Sequence, residues 1–387
     1  LFSQEVGLSD SPSWADRWLD RVWAWRDQRV ASPGFRRWAA RFPLTRPVAR
    51  RRAHDLFDLV AGFVYSQVLL ACVRVHLFDL LAEEPQTLPA IALRIGLSED
   101  ATDRLLAAAV SLDLVERRSR GRYGLGRLGA PLVGEKAITS MIEHHGELYA
   151  DLADPIKLLR GEGKTSALAS YWPYAAAEAP DALASERVSP YSALMSASQP
   201  LVSDEVLEAY PLASHRRLLD VGGGDGTFLL AVARRAPHLH LSLFDLPAVA
   251  YRARQRFADE GLGERASATG GSFFSDALPT GADVISLVRV IFDHDDARAL
   301  SILKAVRRAL PDNGTLLLAE PMSETPGAEA MGDAYFGFYL LAMGKGRARS
   351  AARLTDMLRQ AGFGEVRLLR NPMPLQTQVI VARPVTA

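Results

Sequence analysis

The run Asp220-Val221-Gly222-Gly223-Gly224-Asp225-Gly226 follows the apolar pair Leu218-Leu219 directly. A glycine-rich turn between a strand and a helix lets the backbone approach a nucleotide-like ligand closely. The next apolar run closes on Phe244-Asp245-Leu246-Pro247, which places a carboxylate 23 residues after Gly222. An acid there suits the hydroxyls of a ribose. These residues point to a nucleotide-like cofactor and leave NAD and S-adenosylmethionine both open.

A second group that could do chemistry is Arg289-Val290-Ile291-Phe292-Asp293-His294-Asp295-Asp296, with Glu320 at the end of a further apolar run. A histidine or a carboxylate in such a place can take a proton from a hydroxyl. Tyr335, Phe336, Phe338, Tyr339 and Met343 lie on one helical stretch after Glu320. That stripe reads either as core or as the wall of an apolar pocket. His144 and His145 either face such a pocket or are structural. No His/Asp/Glu spacing suggests a metal site, and none is expected.

The elements that must position these groups follow from periodicity. Leu218–Val221, Leu239–Phe244, Val284–Val288, Thr315–Ala319 and Val379–Val381 read as strands. Between them, Thr227–Arg235, Val249–Glu260, Asp296–Leu310 and Ala352–Gly362 read as helices. Such alternation predicts an α/β fold, a mainly parallel Rossmann-like sheet with helices on both faces. Upstream, a long apolar helix from Leu56 to near Leu81 precedes a short one at Ile91–Ile95, stopped by Gly96. Ser98 then caps Ala101–Leu114, and Val115–Arg118 pairs with Arg122–Leu125. This is a winged-helix outline, which raises a DNA-binding regulator as an alternative. The would-be recognition helix opposes it, offering Asp100, Asp103 and one Arg104 before Leu105-Leu106-Ala107-Ala108-Ala109. A major-groove reader needs cations and amides there, so no nucleic-acid partner is expected.

From Tyr191 onward the chain resembles the class I small-molecule O-methyltransferases, the group of the caffeic acid and hydroxyindole enzymes. The residues that carry this are DVGGGDG at 220–226, FDLP at 244–247, GGSFF at 270–274, LVRVIFDHDD at 287–296, ALPDNG at 309–314 and LLLAEP at 316–321. The winged-helix segment resembles that family's dimerisation domain, so the likeness covers about residues 53–387. It implies S-adenosylmethionine as cofactor and a homodimer. It also implies roles: Gly222 and Gly224 on the methionine and ribose side, and Asp245 on the ribose hydroxyls. Ser272 and Phe273 fall beside the adenine, where the family usually has Asp in place of Ser272. Arg289 matches a basic residue near the cofactor, and Met195 a methionine on a lid helix over the methyl donor.

Departures from the family are as informative. Its His-Asp-Trp motif supplies the base that deprotonates a phenol. Here Phe292 stands for the His, Asp293 for the Asp and His294 for the Trp. One glutamate that braces the base is kept as Glu320; where the other belongs, Arg349-Ser350 precedes Arg353. The chain as a whole resembles the purple-bacterial carotenoid methyltransferases of the hydroxyneurosporene and demethylspheroidene type. Their acceptor is a tertiary alcohol at the end of a C40 polyene. That implies an apolar carotenoid acceptor, with Phe292, Tyr335, Phe336 and Tyr339 around it. His294 and Glu320 are then the expected catalytic pair, the proton leaving late to His294 or through water near Glu320. Alternatives are a methyltransferase for another apolar acceptor, such as a polyketide or bacteriochlorophyll-type pigment, or a non-catalytic binding protein of the same fold.

Composition sets outer limits. The 387 residues carry 45 basic and 45 acidic side chains, so net charge suggests no polyanionic partner. One cysteine, Cys72, allows no disulfide within the chain and fits a reducing cytoplasm. The apolar uncharged stretch from Leu59 to Val73 is shorter than a bilayer span, and no signal pattern opens the sequence. The exception to this evenness is residues 1–52, with five of the six tryptophans and eleven arginines against five acids. Such a leader either docks on its own body or a second subunit, or lies at a membrane interface, tryptophan among headgroups and arginine against anionic lipid. The expected organisation is a Trp/Arg-rich segment at 1–52 and a winged-helix-like dimerisation domain at 53–135. A helical linker and lid at 136–205 and a catalytic domain at 206–387 follow. The expected location is cytoplasmic, peripheral on the inner or photosynthetic membrane if the leader binds lipid.

Overall fold

The computed structural model describes residues 13–162, 166–171, 189–371 and 377–385. The leader forms two helices, α1 (Trp14–Ala31) and α2 (Pro33–Arg41). Ser13 and Asp16 close a capping box on α1, each side chain accepting the other's backbone N–H. No residue of α1 is buried, and α2 buries only Ala39. α1 packs on α2, and α2 packs on the long helix α3 (Arg46–Arg74).

The expected single helix to Leu81 is two. His76 adopts a left-handed φ of 53°, which ends α3 and starts α4 (Leu77–Glu83). The break lets Leu77, Phe78, Leu80 and Leu81 turn inward, where a continued helix would carry part of them to solvent. They meet Cys72, Ile91, Leu106, Val115 and Tyr123 in one core. Burial pushes the Cys72 thiol up to about 12, so it is an inert core residue. Helix α5 (Leu88–Ile95) ends on Gly96 at φ 72°, and α6 (Glu99–Ser111) starts where Ser98 accepts the Ala101 N–H. Strand β1 (Gln86–Thr87) joins the expected hairpin, β2 (Val115–Arg118) and β3 (Arg122–Leu125), as a third strand.

At 29 residues, α3 is long and apolar enough, by length and composition, to cross a membrane. Reading the uncharged stretch alone underestimated it, because the helix runs on through charged residues at both ends. Leu56, Phe57, Leu59, Val60 and Phe63 are each more than 60% exposed, so one chain leaves this face uncovered.

Beyond α7 (Lys136–Asp151) and the helix Ser189–Ala209, the chain builds a seven-stranded sheet. Its strands are β4 (Arg217–Val221), β5 (His240–Asp245), β6 (Ala266–Gly270), β7 (Val284–Val288), β8 (Thr315–Glu320), β11 (Phe363–Leu368) and β12 (Gln378–Pro384). The short β9 (Met322–Ser323) and β10 (Arg349–Ser350) pair separately. The order is β11-β12-β8-β7-β4-β5-β6, parallel except for β12 and β11. Thr227–Arg235 and Pro247–Asp259 cover one face; Asp296–Ala309 and Ala351–Gln360 cover the other. β6 and β11, absent from the sequence reading, are the two edges. Ala-Ser-Ala-Thr-Gly and Phe-Gly-Glu-Val-Arg-Leu lack the apolar run of a strand buried on both faces. Chain order reverses between β4 and β7, so the ligand crevice of such a sheet opens at their carboxyl ends.

Candidate active site

The glycine turn follows β4. Gly222, Gly224 and Gly226 all have positive φ, at 71°, 62° and 84°. A side chain on Gly222 would meet Val290 at 2.8 Å, whereas one on Gly224 would meet no protein atom within 4 Å. The first glycine is thus required by packing. The second keeps clear the space a ligand approaches. Asp245, at the end of β5, accepts the N–H groups of Gly224 (2.8 Å) and Leu246 (2.7 Å). A carboxylate has about four acceptor sites, so Asp245 keeps capacity for two ribose hydroxyls while it shapes the turn. Burial raises it to about 6, against those two hydrogen bonds.

Ser272 and Phe273 follow β6. The Ser272 N–H donates to Asp276 at 2.8 Å, so the acid the family sets at 272 has a neighbour four residues on. Phe273 stands edge-on to Phe274, with ring centroids 4.7 Å apart, and Arg298 lies over the Phe274 ring. Arg289, just beyond β7, holds a left-handed φ of 59°, rare for a residue with a side chain, and its N–H donates to Ala319. Strain of this kind is characteristic of ligand sites. Met195 is on the helix Ser189–Ala209, and its side chain lies outside the described residues.

The turn 291–294 is held from two sides. Glu320 is buried at the end of β8, and its Oε1 accepts Val290 N–H (3.0 Å) and Ile291 N–H (2.7 Å). Burial raises it to about 7. Burial and the nearby Glu320 together hold Asp293 well above the carboxylate range. Glu320 Oε2 and Asp293 Oδ1 are buried without a hydrogen-bond partner. On the other side, Arg349 donates to the carbonyls of Ile291 (3.0 Å) and His294 (2.6 Å) and pairs with Asp296 (2.8 Å). Sequence reading noted Arg349 only as a departure. These three partners lie more than fifty residues away, and no local signal marks it.

The turn sorts its own residues. Phe292 is buried among Leu148, Leu168, Tyr339, Leu340 and Met343, with Phe336 edge-on at 6.4 Å. The aromatic stripe is therefore a wall around Phe292, with Tyr335 and Phe336 half-buried and Tyr339 buried. His294 points the other way. Its ring is edge-on to Phe273 (5.7 Å) and Phe274 (5.3 Å). Burial, then the Arg298 charge, lower it to about 4. His294, named from the sequence as a proton acceptor, has its ring against Phe273 and Phe274, whereas Phe292 lies in the aromatic wall. The tight turn at Ile291–Asp293 sends these two side chains, two residues apart, to opposite sides. His145 Nε2 instead lies 2.8 Å from the Tyr335 hydroxyl, and His144 Nε2 lies 3.0 Å from that of Tyr339.

A glycine cradle at the switch point, an acid closing the next strand and a terminal antiparallel pair define a class I methyltransferase that uses S-adenosylmethionine. The chain belongs to the O-methyltransferase family. The family's O-methyltransferase domain matches residues 149–364, and its dimerisation domain, which supports a homodimer, matches 57–135. Demethylspheroidene O-methyltransferase of Cereibacter sphaeroides is 43% identical over 344 residues, 89% of this chain and 90% of that one. The enzyme of that name in Rhodobacter capsulatus is 42% identical over 88% and 85%. Among solved structures, the calicheamicin-biosynthesis methyltransferase CalO1, in an SAH-bound form, has a TM-score of 0.73 at 26% identity. That alignment covers 87% of this chain and 98% of the other.

Proposed function

We propose that this enzyme methylates the tertiary hydroxyl of an acyclic carotenoid, of the type for which the Cereibacter and Rhodobacter relatives are named. The observation that carries the reading is Phe292, buried in an aromatic wall at the position where phenol methyltransferases keep their base. Gly222, Gly224, Asp245, Ser272, Phe273, Arg289 and Met195 would hold S-adenosylmethionine. Bound there, it supplies an electrophilic methyl group on a sulfonium.

The chain's own residues then have two tasks. Phe292, Tyr335, Phe336 and Tyr339 enclose the polyene end and exclude water. Glu320 and Arg349 fix the turn that carries Phe292. A tertiary alkanol is too weak an acid to be ionised beforehand, so a base could act only as the new bond forms. Orientation can supply roughly 7–11 kcal/mol, against about 3–5 kcal/mol from a general base, so positioning dominates. The test is transfer of label from S-adenosylmethionine to a panel of hydroxycarotenoids, flavonoids and chlorins. Labelling of the hydroxycarotenoid is expected; labelling confined to a phenol or a chlorin overturns the reading in favour of another apolar acceptor.

The leader is read as a peripheral membrane contact. Trp14, Trp18, Trp23 and Trp25 are 48–75% exposed, and Arg26 and Arg29 lie over the rings of Trp23 and Trp25. Amphipathic rings beside cations are suited to an anionic headgroup layer.

A further inference from the structure

We propose that Tyr335 and His145 form the proton exit of the methyl transfer, with the Tyr335 oxygen receiving the acceptor's hydroxyl proton and His145 Nε2 receiving that of Tyr335. This rests on the reading above only in taking the acceptor to be an alcohol bound against Phe292.

A phenylalanine at position 292 takes away the group that receives the proton in phenol methyltransferases. His294 faces the other side of the turn. His144, His145, Tyr335, Tyr339, Arg289, Asp293 and Glu320 are among the ionisable groups around the aromatic wall. Tyr339 is buried, and His144 ties α7 to its helix. Glu320 spends Oε1 on two backbone N–H groups of the turn, and its Oε2 and Asp293 Oδ1, buried without a partner, are the competing acceptors. Tyr335 differs. It is half-buried and packs edge-on to Phe336 at 5.0 Å; burial pushes its hydroxyl up to about 12 against the opposing Arg289 charge, so it passes a proton on rather than resting ionised. It reaches His145 at 2.8 Å, across 190 residues of sequence.

The chemistry balances. A lone pair of the hydroxyl oxygen forms the new O–C bond, and the C–S bond breaks with its pair left on sulfur. The hydroxyl proton passes to the Tyr335 oxygen as the Tyr335 proton passes to His145 Nε2. Positive charge lost from the sulfonium appears on the imidazole, so the pocket never holds a net extra charge. Burial keeps His145 neutral, with its proton affinity lowered. A protonated ether is a far stronger acid than any imidazolium, so even this weakened base suffices. The relay requires the Nδ1–H tautomer, with Nε2 as acceptor.

Two measurements test it. In the cofactor-loaded enzyme, ¹⁵N shifts of the His145 ring, assigned by their loss in His145→Gln, should report Nε2 as the unprotonated nitrogen. An Nε2–H tautomer would overturn the relay without any assay of activity. Single-turnover methylation is then compared for Tyr335→Phe, His145→Gln and the double variant, on whichever hydroxyl the unmodified enzyme methylates. Rates should fall about 10²-fold in each, and no further in the double, because the pair acts as one unit. Cofactor and acceptor dissociation constants, read by fluorescence quenching, should stay within threefold. Full rate in Tyr335→Phe, or losses that multiply, sinks the proposal. Because the acceptor is chosen by the unmodified enzyme, failure of the carotenoid reading leaves this test intact.

Discussion

Arg349 donates from Nη2 to the backbone carbonyl of His294 at 2.6 Å while its own side chain is almost wholly buried. The same guanidinium reaches the Ile291 carbonyl, and the Arg347 N–H donates to the Phe292 carbonyl. One charged group thus holds the short turn that sends Phe292 into the aromatic wall and His294 toward Phe273.

Arg349→Met should remove the guanidinium from the Ile291, Arg347 and His294 carbonyls and leave Asp296 with Arg353 alone, a loss of about 2–4 kcal/mol. The urea unfolding midpoint should fall, and turnover should fall with it because Phe292 is no longer held. An unchanged midpoint would mean that the turn is held by Glu320 alone.

His294→Ala removes two edge-to-face contacts, worth about 0.5–1.5 kcal/mol each. Affinity for S-adenosylmethionine, measured by calorimetry, should drop roughly three- to tenfold. Single-turnover rate at saturating cofactor should stay within threefold. A rate loss of two decades with affinity intact would return the proton to His294.

Stability should depend on pH through the buried carboxyls. Glu320 and Asp220 are both raised to about 7, chiefly by burial, so the folded state holds their protons more tightly than the unfolded chain does. Their contribution is complete below the ordinary values, 3.8 for Asp220 and 4.5 for Glu320, and is lost as pH rises through 7. His144 and His294, lowered to about 4, act in the opposite sense, but only below about 6.5. Glu320→Gln should therefore gain stability relative to the unmodified protein by about 1 kcal/mol between pH 6 and pH 8. A difference independent of pH would show that Glu320 is ionised throughout.

Deleting residues 1–44 leaves α3 whole, since that helix begins at Arg46. Sedimentation with anionic liposomes should fall severalfold and weaken with added salt. Activity on detergent-dispersed acceptor should be largely kept. A truncated protein that turns monomeric or insoluble would make the leader a clasp between subunits.

Much of this was legible from local pattern. The helix Thr227–Arg235 and the hairpin strands fell where periodicity put them, and Gly96 and Ser98 bound their helices as residue chemistry requires. The glycine turn and Asp245 were readable because both act through backbone conformation and a short spacing along one βαβ unit. Strands β6 and β11 were not, because edge strands need no continuous apolar run.

The side of a turn on which a ring falls was beyond the sequence. Phe292 and His294 are two residues apart, and only the grip of Arg349 and Glu320 decides that one meets Phe336 and the other Phe273. The meeting of His145 with Tyr335 spans 190 residues. Sequence settled which residues could do chemistry. Which of them meet depended on packing α7 against the helix after Tyr335, a long-range contact that no local spacing encodes.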